Sequence, residues 1–365
     1  MFVGRSDCRP ANGISQEASH LKAMKRTLLR PYLISSLLLL LALLASVAIG
    51  AVYIPPTTVL GVFLSEVAGL DSAAWSLTAI TIVMQVRLPH TVLIALTGSA
   101  LAGSGAAYQG LFRNPLADPY LIGVASGAGL GAVLAMSLRW PSSMLGLYAV
   151  PVAAFLGAVA TIFIVYNLAR TGPTLQTTTL ILAGVAVSSF ATALTSFLML
   201  RSGTELRRAL GWLLGGSILN GWTPVLAMLP YVVVGLLLLV AMGHALNVLQ
   251  FGDDQAQQIG LNVERTKRII LVAASLTTAA AVAFSGIIGF IGLIVPHVVR
   301  LVWGADYRHL TPLSILGGAT LLLLADILAR VALAPQVLPV GVVTALAGAP
   351  FFLWILFRAK AKVTW

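Results

Sequence analysis

Apolar residues recur along the chain in nine long runs, at about 33–52, 91–112, 120–138, 145–168, 178–200, 222–246, 269–303, 310–334 and 337–357. A helix needs about 20 apolar residues to cross the hydrocarbon of a bilayer, and these runs are continuous where the strands of a membrane barrel would alternate. They predict transmembrane helices. The run 269–303 is longer than one helix needs and carries Gly286, Gly289, Gly292 and Pro296, which predicts a full helix followed by a shorter returning one. That makes ten, an even number, so both termini fall on one side. The expected fold class is an all-α polytopic membrane protein of about ten transmembrane helices over residues 30–360, with polar ends at 1–29 and 361–365.

Composition agrees: 59% of residues are hydrophobic and 9% charged, with a mean hydropathy of +0.97, far from the roughly 25% charged of soluble domains. Short cytoplasmic loops carry the excess of Lys and Arg. With both termini cytoplasmic, six of the 22 basic residues fall outside (Arg87, Arg139, Arg201, Arg207, Arg208 and Arg330) and the other sixteen inside. The net charge of +11 then reflects topology and contact with anionic lipid; no soluble basic domain exists to carry nucleic acid. About thirty residues precede the first run, which argues against a cleaved signal peptide. Residues 1–23 are polar and unpatterned, so they are expected to be disordered, with Met24 a candidate start. Cys8, the single cysteine, lies there, and neither a disulfide nor a cysteine metal site is expected.

The chemistry that is missing narrows function. A phosphate-binding loop needs Gly immediately before its Lys, and none of the five lysines follows a glycine. The histidines (His20, His90, His244, His297 and His309) have no metal-ligand spacing. No catalytic residue, metal site or cofactor is expected on this chain, so any ATP and Mg must belong to partner subunits.

Two polar interruptions stand out. In "GLFRNPLADPYLIGVASGAG", Gly110 to Gly129, Pro115 and Pro119 stop helices, so Asn114 to Asp118 should form a tight turn, with Asn114 suited to cap the broken backbone. Gly123, Gly127, Gly129 and Gly131 then leave a helix face bare for a close neighbour. The second, "NVLQFGDDQAQQIGLNVERTKR", residues 247–268, reads as a short helix starting at Gly252 and Asp253 and stopping at Gly260. Two turns are too short to be stable unsupported. A membrane-surface helix should be basic with a large apolar face, whereas this one is acidic and glutamine-rich, which favours a protein partner.

These stretches, with "RLPHTVLIALTGSALAGSGAAYQG", "GFIGLIVPHVVR", "DYRHL" and "LLLLADILARVALAPQVLPVGVVTALAGAPFF", resemble the FecCD/BtuC family. These are permease subunits of type II ATP-binding-cassette (ABC) importers for iron-siderophore, haem and cobalamin. The resemblance implies a bacterial plasma (inner) membrane protein that pairs with a second copy of itself, binds two ABC ATPase subunits, and receives substrate from a periplasmic or lipid-anchored binding protein.

By the same resemblance, Gly252, Asp253, Asp254, Ala256, Gly260 and Leu261 match the coupling helix that sits in a cleft of the ATPase. Asn114 and Leu116, with Thr177 and Thr178 of "QTTTLILAGVA", match a cytoplasmic gate. Arg87 and Arg330 match arginines that grip acidic residues of the binding protein, and His90 stands where the family usually has another arginine, a departure expected either to weaken docking or to make it pH-sensitive. Snorkelling to the outer interface is the alternative account of both arginines, and Asp326 is placed to pair with Arg330 along a helix. His297 reads as a packing residue, not a ligand. An offset of 181 residues superposes Arg87 on Arg268, Pro115 on Pro296 and Gly123 on Gly304, which suggests an inverted repeat. A secondary transporter would need more ionisable residues within its spans, and a membrane sensor would need a soluble output domain. Substrate identity is not legible; an iron chelate, siderophore or haem, is favoured only because that class is large in the family, with cobalamin the alternative.

Overall fold

The computed structural model describes residues 12–50, 52–68, 75–138, 144–171, 174–201, 206–216 and 219–361. The helices in chain order are α1 (Asn12–Ala48), α2 (Pro56–Ala68), α3 (Leu77–Thr81), α4 (Leu88–Leu111), α5 (Val124–Ser137), α6 (Met144–Ala169), α7 (Thr177–Arg201), α8 (Leu206–Leu213), α9 (Trp222–Ala241), α10 (Gly243–Leu249), α11 (Asp253–Gln258), α12 (Val263–Ser285), α13 (Ile291–Trp303), α14 (Tyr307–Val331) and α15 (Val340–Ala361). Among the described residues the only strands are the paired two-residue pieces Arg170–Thr171 and Thr174–Leu175. Among the described residues seven helices are long and apolar enough to cross a membrane, and three shorter apolar ones, Val124–Ser137, Ile291–Trp303 and Val340–Ile355, bring the count to the ten expected.

The long run 269–303 divides as its glycines predict. α12 ends where Gly286 takes φ 75, and α13 starts after Phe290 at φ 70. At the N-terminus the backbone is helical from Asn12, within the segment expected to be disordered; after Gly13 no Gly or Pro occurs until Pro31, so the helix of the apolar part meets no breaker on that side. Cys8 and residues 362–365 lie outside the described residues. Under the 181-residue offset the pairs agree only in part: Gly123 and Gly304 both take positive φ beside a helix end, 84 and 98, whereas Pro115 lies in a turn and Pro296 inside α13.

α4 is the central helix. Most of its residues are buried, among them Ala100, Ala102, Ser104, Ala106 and Ala107, and it packs against α14, α12, α13 and α9. The approach is close because the contact residues are small: a Cβ on Gly98 would fall 2.3 Å from Gly318 O, and one on Gly105 only 1.9 Å from Gly292 O. A π-helical turn, Ile82–Arg87, joins α3 to α4. Pro89, lacking an N–H, disturbs the hydrogen-bond ladder there, and Trp222 Nε1 donates to Met84 O at 2.9 Å within the same turn.

Candidate functional site

Residues 112–123 carry α4 into α5 without forming a helix. Arg113 sits at φ 50 and Gly123 at φ 84, so the chain turns sharply at both ends. Side chains replace the lost ladder: Asn114 Oδ1 accepts from Leu116 N at 2.9 Å and Asp118 Oδ1 from Tyr120 N at 2.8 Å. Tyr120 OH donates to Ile288 O at 2.9 Å, pinning this hinge to the loop between α12 and α13. The hinge then presses on α7, where a Cβ on Gly184 would lie 2.3 Å from Leu121 O and one on Gly123 3.0 Å from Ser188 Oγ.

Hinge and α7 flank an open cleft of about 680 Å3, lined by the apolar Leu121, Val185 and Ala193 as well as by Asp118, Tyr120, Ser188, Ser189, Thr192 and Ser196. Ser188, Thr192 and Ser196 recur every four residues and form one stripe along the helix. Ser189 and Ser196 donate their hydroxyl hydrogens to Val185 O at 2.9 Å and Thr192 O at 3.0 Å, which leaves oxygen lone pairs free. The cleft therefore offers hydrogen-bond acceptors and one carboxyl. Of α7, only Leu180, Gly184, Ala191 and Thr195 are buried, so a polar stripe runs along a helix that the single chain leaves largely uncovered. Sequence reasoning missed this stripe, although its period was visible in "VSSFATALTS". Of the expected gate residues, Asn114 is exposed and Leu116 half-buried at the hinge, while Thr177 and Thr178 open α7. Within one chain the hinge meets α7 at Gly184 and Ser188, two turns beyond those threonines.

The short helix α11 forms where the glycines predict, with Gly252 at φ 109 before it and Gly260 at φ 94 after it. Asp253 and Asp254 occupy its positive first turn, Ala256 is its buried residue, and Leu261 N returns to Ala256 O at 3.0 Å. Three contacts tie it down. Lys267 Nζ lies 2.5 Å and Arg113 Nη2 3.8 Å from the Asp253 carboxylate, and Gln250 Nε2 donates to Gly110 O at 2.9 Å. Two of the three reach the end of α4 and the hinge. Phe251 and Ile259 stay exposed beside the acidic and glutamine side chains. Nearby, Asp306 caps α14; the hydrogen bond from the Arg308 side chain, with that from Asn247, holds its carboxyl well below the usual range.

Arg87 and Arg330 meet at the opposite end of α14, and both turn onto the C-terminal carbonyls of α1. Arg87 donates to Val47 O at 2.8 Å, Ala48 O at 2.9 Å, and Val52 O. Arg330 donates to Ser46 O at 3.1 Å and Ile49 O at 2.9 Å, and its Nε lies 2.9 Å from Asp326. A helix C-terminus carries partial negative charge and orphan carbonyls, so two guanidiniums satisfy both needs there. His90 Nε2 lies 3.0 Å from the other oxygen of Asp326. The three expected docking residues are thus brought together around Asp326 and α1. His297 stands apart, its Nδ1 enclosed without a partner.

The chain is 50% identical over 279 residues to the cobalamin import system permease protein BtuC of Halobacterium salinarum, covering 76% of this chain and 74% of that one. It is 42% identical over 286 residues to the hemin transport system permease protein HmuU of Yersinia pestis, covering 76% and 84%. An inward-facing ABC transporter assigned to the metal-chelate type has the same fold, with a TM-score of 0.77 at 30% identity over 89% of this chain and 97% of that one. The model of the FecCD transport family matches residues 38–358, so the chain belongs to that family, as a multi-pass permease of an ABC importer.

Proposed function

We propose that two copies of this permease enclose a central path between their α7 stripes and carry an iron chelate, siderophore or haem, across the bacterial inner membrane. The observation that carries this reading is the cleft of Asp118, Ser188, Ser189, Thr192 and Ser196 on a mostly uncovered helix. Hydrocarbon penalises such groups, and irregular backbone beside them is tolerated where it lines a water-filled cavity. A second copy facing the stripe would close it off from lipid. Asn114, Leu116, Thr177 and Thr178 then form the inner gate, and short side chains there seal without gripping a bulky solute.

The two ends take different partners. At the α11 end, taken as cytoplasmic because the basic residues gather there, Phe251 and Ile259 enter an ATPase cleft. Movement of α11 passes through Asp253 and Gln250 to the hinge. At the Arg87 end the binding protein docks, and the arginines hold the end of α1 in place for it. The cobalamin relative supports a second reading in which the cargo is a corrinoid. Proteoliposomes holding the permease, its ATPase and its binding protein should accumulate a ferric chelate or haem with ATP. Uptake of cobalamin alone would replace the first reading with the second, and no ATP-dependent uptake of any of them would remove both.

A further inference from the structure

On the outside of the bundle α9 and α12 leave a groove of about 710 Å3, lined by Pro230, Tyr231, Val234, Leu238, Val272 and Leu276. One charged side chain reaches it, Arg268, at the α11 end. From Arg268 to Leu276 the wall covers eight residues, about 12 Å at the helical rise, against about 15 Å for one leaflet of a ~30 Å core. The groove thus has the depth of an acyl chain with a cation at headgroup level.

Arg265 lies one turn before Arg268 on the same side of α12, and both are exposed. Between them Lys267 turns inward to Asp253. Neither arginine has an acidic partner among the described residues. Glu264 precedes Arg265 on α12, yet neither guanidinium is ion-paired among the described residues, and two guanidiniums above an apolar groove suit a ligand of opposite charge and the same apolar depth. We propose that this groove binds an anionic glycerophospholipid of the α11-side leaflet, its phosphate held by Arg268 and Arg265 and one acyl chain lying between α9 and α12. A zwitterionic lipid would bring its own ammonium to the arginines. The inference needs the multi-pass membrane fold and not the transport reading.

The test uses the full-length permease purified in detergent, titrated with phosphatidylglycerol or phosphatidylcholine of identical oleoyl chains, with bound lipids counted by native mass spectrometry. Phosphatidylglycerol should bind more tightly, by about five-fold for each arginine engaged. Arg265→Gln with Arg268→Gln should bring the two lipids to parity without altering thermal unfolding, since both side chains are exposed. Val272→Trp, which fills the groove from an exposed position, should lower occupancy by both lipids. The proposal falls if the wild type shows no preference, if the preference survives removal of both arginines, or if Val272→Trp leaves phosphatidylglycerol occupancy unchanged. It also falls if Val272→Cys, in a Cys8→Ser background, forms a disulfide between copies, because the face is then a protein interface.

Discussion

Lys267 Nζ lies 2.5 Å from Asp253 Oδ2, and the two partners are unequally buried, with side chains 5% and 38% exposed. The burial falls on the cation, so the pair should respond asymmetrically to mutation. Asp253→Asn strands a buried ammonium and should cost about 2 kcal/mol, at the low side of what breaking a buried pair costs because one partner reaches water. Lys267→Met leaves a carboxylate that water and Arg113 still serve, and should cost less. Asp253→Asn with Lys267→Met should recover most of the loss. Thermal unfolding of the three variants in detergent decides it; equal losses for both single variants would mean that burial of Lys267 does not set the energetics.

The arginine end makes a related prediction. Arg330→Gln removes donors from Ser46 O and Ile49 O and also strands Asp326, which is 4% exposed. Arg87→Gln removes donors from Val47 O, Ala48 O and Val52 O and strands no carboxylate. Both should lower thermal stability, Arg330→Gln by about 3 kcal/mol and Arg87→Gln by about 1 to 2. If the arginines also touch the binding protein, Arg87→Glu should weaken its affinity at low salt more than at high salt. A stable Arg330→Gln variant would show that α1 does not depend on this cap.

These two clusters also mark the limit of what the sequence made legible. The ten helices were readable because solvation by hydrocarbon is a matter of composition, and the break within 269–303 because Gly286 permits a φ of 75. The bounds of α11 followed from Gly252 and Gly260 for the same reason. The partners of Arg87 and Arg330 were not readable, since a carbonyl at the end of α1 has no residue signature and every residue supplies one. Nor was the left-handed Phe290, whose side chain fills the space beside Gly348 while its backbone takes a φ that a phenylalanine does not favour. The α7 stripe lay between these cases: its period was on the page, but serine and threonine are common enough in packed membrane helices that only the uncovered face gives them meaning.

Asp306 supplies a pH test. Its carboxylate accepts from Arg308 N at 3.0 Å and from Asn247 Nδ2 at 2.6 Å, and its pKa is depressed in the folded chain. A depressed carboxylate stabilises the fold fully above its unfolded pKa, near 4, and loses that contribution as pH falls toward the folded value. Asp306→Ala should therefore cost about 1 kcal/mol at neutral pH, as loss of a helix cap does. The gap from wild type should hold from pH 7 to 5 and narrow below about 4. A gap that widens on acidification would reverse the sign and remove the carboxylate as its source.

The stripe can be tested by solvent access. Single cysteines at Ser188, Thr192 or Ser196, after Cys8→Ser, should react with a charged, membrane-impermeant thiol reagent in at least one nucleotide state, because the thiolate forms only where water reaches it. Cysteines at Val234 or Leu237, exposed on α9 of the isolated chain, should react about ten-fold more slowly if hydrocarbon surrounds them. Equal rates at both sets would leave α7 without a water-filled path.

The gate assignment depends on the second copy. Within one chain Asn114 and Leu116 lie on the hinge, while Thr177 and Thr178 open α7 before the hinge reaches that helix. If they line one constriction, they do so across the dimer axis. Leu116→Cys or Thr178→Cys, in the Cys8→Ser background, should then cross-link between copies in the resting, ATP-bound or trapped state. Cross-linking should stop substrate release and reduction should restore it, and reagents of graded length should report how far the constriction opens. Because Asp253 of α11 contacts Arg113, and Gln250 just before α11 donates to Gly110 O, the cross-linking yield should change with nucleotide, and deleting residues 252–261 should abolish that dependence along with ATPase binding. A dimer that binds its ATPase yet cross-links at neither position in any state would make residues 112–123 a loop that anchors α11, and the constriction would have to be formed by other residues.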